Sequence, residues 1–106
     1  LAAAARSLDA TPIFIPQVLN IAAMTSDSTG GWVRNIPQKH VPAVMAVFNK
    51  AMMDTASSES ADGIGEVLDY NWSNGHFFED GHFSPSGSAA FSKIVACGLR
   101  ARGLVR

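Results

Sequence analysis

Thr11-Pro12-Ile13-Phe14-Ile15-Pro16 decides the fold of this chain. Three consecutive apolar residues, two of them β-branched, stand between two prolines. A short apolar run without polar alternation is the pattern of a strand covered on both faces, as in a parallel sheet. Pro16 has no N–H for a sheet ladder, so the strand ends there. Gln17-Val18-Leu19-Asn20 then leaves the sheet at its carboxyl edge. On the other side, the Ala-rich residues 1–9 read as a helix that Thr11-Pro12 breaks.

Further along, residues 21–36 read as a long loop centred on Thr25-Ser26-Asp27-Ser28-Thr29-Gly30-Gly31. Loops of this length in compact domains are functional or disordered. Trp32 near its end lines a pocket or pins the loop to the core. From Pro37 to about Thr55 the spacing of Val41, Val44, Met45, Phe48 and Met52 predicts a helix with one apolar stripe, and Pro42 suits its opening turn. The methionines read as core filler, and His40 as exposed. Thr55 to Gly63 is polar and loop-like, and a second strand is expected between Ile64 and Tyr70, centred on Glu66-Val67-Leu68-Asp69. Ser84-Pro85 is a helix start, with an N-cap and a proline at the first helical position. Phe91, Ile94, Val95 and Leu99 give the last helix its buried side, Lys93, Arg100 and Arg102 its wet side, and Gly103 its stop.

The order helix, strand, helix, strand, helix predicts an α/β fold on a parallel sheet. Ligands of such sheets gather at the carboxyl ends of the strands, where residues 16–36 and 70–84 emerge. The second of these loops carries Glu79-Asp80-Gly81-His82. Histidine exchanges protons near neutral pH, and a carboxylate beside it fixes its tautomer and stabilises its charged form. His82 is thus a candidate general base, with Glu79 or Asp80 to orient it. The same spacing also suits a surface loop with a capping histidine and two solvated acids. His76, Glu79, Asp80 and His82 form a His/carboxylate set of the kind that ligates metals, but nothing in their spacing fixes a geometry. Asn71-Trp72-Ser73 fits a glycosylation acceptor triplet.

Composition narrows the function classes. A chain of 106 residues is one domain at most, and 47% apolar with 16% charged residues is enough to build a core. The net charge of −1 carries no electrostatic footprint for nucleic acid or an anionic membrane. No apolar run approaches the ~18–20 residues of a transmembrane helix. A single cysteine, Cys97, excludes an internal disulfide and a thiolate-rich metal site, and among its apolar neighbours it reads as core filler. Leu1-Ala2-Ala3-Ala4-Ala5-Arg6-Ser7-Leu8 resembles the second half of a helix, without the basic n-region of a signal peptide. The expectation is that the amino-terminal side of a larger domain precedes it.

Phe78 through Phe91, after a strand and into a helix, resembles the last conserved block of the SGNH (GDSL-type) hydrolases. That block is an Asp-x-x-His motif followed by a hydrophobic residue, a small polar pair and a glycine opening the final helix. His82, Phe83, Ser84, Pro85 and Gly87 match it. Thr11 to Pro16 resembles the family's fourth strand, Val41 to Met53 the helix that carries a recurring asparagine like Asn49, and Leu68-Asp69 stands where the fifth strand ends. The resemblance implies a parallel-sheet three-layer (flavodoxin-like) SGNH hydrolase fold. Residues 1–106 would be the carboxyl-terminal portion of one such domain, with two strands and three helices and an apolar sheet edge left unpaired.

The resemblance further implies a serine esterase or acyl hydrolase with no cofactor, in which His82 activates a serine. Its substrate would be a small-molecule, carbohydrate or lipid ester, with Asn20, Trp32 and Asn74 lining the pocket. Two departures stand out. Glu79 occupies the position where the family has Asp, with Asp80 one step closer to His82. The Gly-Asp-Ser block and the oxyanion-hole Gly and Asn are not present, and Ser26, Ser28 and Ser73 lie in loops without an elbow motif. The nucleophile would come from a missing amino-terminal segment. The alternative is a non-catalytic α/β binding or structural module.

Overall fold

The computed structural model describes all 106 residues. Helix α1 (Ala2–Ser7) leads to β1 (Ile13–Phe14), and α2 (Val41–Ser58) leads to β2 (Asp62–Gly63). A one-turn helix α3 (Glu66–Asp69) and the long α4 (Pro85–Ala101) complete the chain. Strands β1 and β2 pair in parallel, Ile13 opposite Asp62 and Phe14 opposite Gly63. The ladder is prolonged by the Ile64 N–H, which donates to the Phe14 carbonyl at 2.8 Å. Helix α2 is the crossover between them.

The second strand lies earlier than the sequence suggests, and residues 66–69 are helical. The reason is burial. A strand over Glu66-Val67-Leu68-Asp69 alternates faces, so either Glu66 with Leu68 or Val67 with Asp69 would turn inward and bury a carboxylate. The turn instead sends Ile64 and Val67 into the core, both at 0% exposure, and leaves Glu66, Leu68 and Asp69 outside.

Two small clusters make up the core. Val18, Ile64, Val67 and Phe77 form one, covered by Phe91, Ile94, Val95 and Leu99 of α4, the stripe that the sequence predicts. Leu19, Met24 and Val41 form the other, against Val33, Ile36 and Met45. Val18 and Leu19 are consecutive, so the extended chain after β1 sends one side chain into each cluster. Asn49 on α2 clamps this segment. Its Oδ1 accepts from the Gln17 N–H at 2.9 Å and its Nδ2 donates to the Gln17 carbonyl at 2.8 Å. The pair replaces the ladder that Pro16 ends.

Other side chains depart from their sequence reading. Cys97 is exposed, because it lies on the flank of α4 with Lys93 and Ala101 rather than on the buried stripe. Arg102 is not simply wet. It pairs with both Glu66 oxygens, at 2.8 and 3.2 Å, and donates to the Gly63 carbonyl at 2.7 Å, fastening the end of α4 to β2 and α3. Phe48 is 65% exposed and Val47 69%, so the apolar stripe of α2 is only partly covered. Strand β1 pairs on one side only, and Ile13 is exposed. The result is flat, 44 × 28 × 20 Å, with a radius of gyration of 15.3 Å. A compact chain of this length has about 13 Å.

Helix α4 begins and ends as its sequence predicts. The Ser84 hydroxyl accepts from the Gly87 N–H at 3.3 Å. At the other end Gly103 has φ of 69°, the Gly103 N–H donates to the Arg100 carbonyl and the Leu104 N–H to that of Leu99, each at 3.0 Å. Gly87 packs so closely on residues 76–83 that a Cβ there would stand 1.9 Å from the His76 carbonyl oxygen. We expect Gly87→Ala to destabilise the fold by about 1–3 kcal/mol through overpacking. Gly75→Ala, whose Cβ meets nothing closer than 3.9 Å, should stay within about 0.5 kcal/mol of the parent. Urea unfolding of the two variants checks this, and equal losses would contradict the packing.

Candidate active site

The 77–83 segment is a tight hairpin. Phe77 and Phe83 form an antiparallel bridge and stack at 5.2 Å, and the Phe78 N–H donates to the His82 carbonyl at 2.8 Å. Phe77 is buried and Phe83 packs on Phe91 of α4 at 5.1 Å. With both strands of the hairpin fixed by aromatic contacts, Glu79-Asp80-Gly81-His82 is pushed out as its tip.

At that tip Glu79 meets the His82 ring. Glu79 Oε1 accepts from the His82 backbone N–H at 2.8 Å and from the ring Nδ1–H. With the proton on Nδ1, the lone pair of the neutral ring lies on Nε2, which has no partner in the chain. The other acid is turned elsewhere. The Asp80 carboxylate accepts from the Gln38 amide, just before α2. The register three residues back, not two, is thus the one that reaches the imidazole.

The residues expected around His82 divide. Trp32 is brought to it: the two rings meet edge to face at 5.9 Å, and the indole lies over Gly81. A Cβ on Gly81 would be 2.4 Å from the outer edge of the indole, so a larger residue there would push Trp32 aside. Asn20 and Asn74 are brought to each other. Asn20 is buried, and its Nδ2 donates to Asn74 Oδ1 at 2.8 Å and to the Glu79 carbonyl at 3.2 Å. The Asn20 N–H also donates to the Asp80 carbonyl at 2.8 Å. This asparagine stitches the loop after β1 to the hairpin. Its amide nitrogen is committed to holding the site rather than facing a ligand.

His76 stands apart from His82. Its Nδ1 accepts from the Ser73 N–H at 3.0 Å and lies 2.9 Å from the Ser73 hydroxyl, while its ring packs edge to face on Trp72 and Tyr70. No three His, Cys, Asp or Glu side chains converge in a metal-holding arrangement. Ser73 is engaged with His76, and Ser26 and Ser28 with their own loop. No serine hydroxyl of the chain hydrogen-bonds the His82 ring. Gln38 and the room that Gly81 leaves for Trp32 are the contributions that sequence reading missed. Only Gly81, a glycine between the acids and the histidine, leaves a trace in the sequence.

Comparison of the chain with protein-family models, with curated proteins and with solved structures finds no match. No helix is long and apolar enough to cross a membrane.

Two carboxyls are shifted by their partners. Glu79 lies below its ordinary value of 4.5: partial desolvation pushes it up, and the hydrogen bonds from the His82 ring and backbone outweigh that. Glu66 is lowered mainly by its hydrogen bonds from Arg102. Both acids have depressed pKa values in the folded state. They stabilise the fold fully above the ordinary glutamate value, and the contribution fades as pH falls through the lowered one. Replacing both by glutamine should therefore flatten the fall in urea midpoint below pH 4.5. An unchanged acid slope would remove these two pairs as its source.

Proposed function

We propose that the chain is the base-bearing part of a serine ester hydrolase of the SGNH type. His82 acts as general base and acid, and Glu79 orients it. One observation carries the reading: the Glu79–His82 pair at the tip of the hairpin, with Nδ1 held by the carboxylate and Nε2 unpartnered and facing outward. A histidine in this tautomer is set to take a proton from a hydroxyl. The parallel pairing of β1 and β2 and the position of the hairpin before a capped helix agree with it.

The serine comes from polypeptide outside these 106 residues, on the amino-terminal side by the order of the family the sequence resembles. Its hydroxyl attacks the ester carbonyl while His82 Nε2 takes the proton. Glu79 stabilises the imidazolium that forms. The tetrahedral intermediate collapses, the C–O bond to the alcohol breaks, and His82 returns the proton to the departing alkoxide. Water then enters and attacks the acyl carbon while giving a proton to His82; the C–O bond to serine breaks, the acid leaves, and His82 returns the proton to the serine oxygen. The absence of a serine at the His82 ring equally favours a second reading, in which the loop face of an α/β module holds a partner without chemistry.

The two readings separate on the reading frame upstream of Leu1. A strand followed by Gly-Asp-Ser is expected there, and a stop or an unrelated domain would overturn the hydrolase. In the serine-bearing protein, His82→Ala should lower kcat on a short p-nitrophenyl ester by about 10³-fold or more. Glu79→Gln should cost at least about 10²-fold, while Asp80→Asn costs no more than about threefold. A loss of only two- or threefold in His82→Ala would remove His82 from the mechanism.

A further inference from the structure

Away from the hairpin, a cleft of about 460 Å³ opens between α2 and residues 68–72, beside the chain that leaves β1. Its size falls within the ~300–1,000 Å³ of small-molecule sites. One wall is Met45 and Met53 of α2; the other is Leu68, Tyr70, Trp72 and Phe77. Two polar side chains set into its walls already have partners, while Asn71 and the Tyr70 hydroxyl stand at its exposed rim. Asn49 is bound through both side-chain atoms to the Gln17 backbone, and the Trp72 Nε1–H donates to the Val67 carbonyl at 2.7 Å. No buried side-chain nitrogen or oxygen in the protein lacks a hydrogen bond. A polar group set against the Met45, Met53, Leu68 and Phe77 side chains would lose water and find no partner there, which costs free energy. Hydrocarbon would lose nothing.

The walls also differ in stiffness. The aromatic side is fixed, with Tyr70 and Trp72 edge to face at 4.7 Å and Trp72 hydrogen-bonded, and Phe77 buried. The opposite side offers two thioethers, which adapt to an irregular shape better than branched side chains do. A fixed face opposite an adjustable one suits a flexible chain more than a flat rigid ring. Lys50 stands at the rim, exposed and paired with Asp54. At one end the cleft reaches Asn20, whose amide donates to the Glu79 carbonyl. The cleft and the acid–histidine pair are thus separated by one buried side chain.

We propose that this cleft binds a linear aliphatic acyl chain of medium length. In assigning that chain to an ester substrate the proposal rests on the hydrolase reading; the binding itself does not. The four methionines allow a direct test by NMR of methyl-¹³C-methionine in the folded 106-residue chain. On titration with decanoate below its micelle concentration, the Met45 and Met53 methyls should shift saturably. That of Met52, which does not line the cleft, should stay in place. Acetate should move none. Ala46 lines the cleft from an exposed position on α2, so Ala46→Trp fills it without disturbing the core. That variant should weaken half-saturation about tenfold or more, with an unshifted Met52 reporting an intact fold. No saturable shift, or all four methyls moving together, would overturn the proposal. Decanoate binding without ester hydrolysis in the serine-bearing protein would remove the hydrolase and leave the cleft; hydrolysis without binding would do the reverse.

Discussion

The close approach of α4 to residues 75–77 is the contact on which the rest depends. Gly87 brings the first turn of the helix against the His76 carbonyl, where no side chain fits. Ser84 works around the same point. Its hydroxyl donates to the Gly75 carbonyl at 2.8 Å while accepting from Gly87, and its N–H donates to the His76 carbonyl at 3.0 Å. With the helix start fixed to the entering strand of the hairpin, Phe77 and Phe83 must face each other and residues 79–82 must project. A bulkier residue at 87 would part the helix from the strand and let the tip swing.

The Glu79–His82 contact at the tip is exposed. The His82 ring is 77% accessible and Glu79 48%. Water screens such a pair, so its attraction adds little to stability. Its effect is orientation: one carboxylate oxygen holds the backbone and the ring of the same residue, leaving a single nitrogen outward. Arg102 is the contrast. Only 25% accessible, it joins Glu66, Asp62 and two carbonyls, and it serves packing of the end of α4 rather than any site.

How much of this could be read in advance varies with how local the signal is. Pro16 closing β1, Ser84-Pro85 opening α4 and Gly103 closing it are statements about one or two backbone positions, and the structure carries them out. The acid–histidine spacing is equally local. The position of β2 was not legible, because two residues of strand have no periodicity to read and Asp62-Gly63 is not an apolar run. The exposure of Phe48 was not legible either. Spacing places it on the stripe of α2, but which part of a stripe is covered depends on what packs there. The pairing of Asn20 with Asn74, and the Gln38 amide on Asp80, depend on long-range closure and carry no local mark.

That difference in range has a consequence of its own. Glu79 and His82 are three residues apart, so their contact closes only a short loop. The contacts that aim them bridge 42 residues from Gln38 to Asp80, 54 from Asn20 to Asn74 and 59 from Asn20 to Glu79. Each exists only while the loops it closes are closed, and loop closure has an entropy that the whole fold must offset. The contact between Glu79 and His82 is therefore local, and its direction belongs to the topology. Unfolding removes that direction along with the loops that set it.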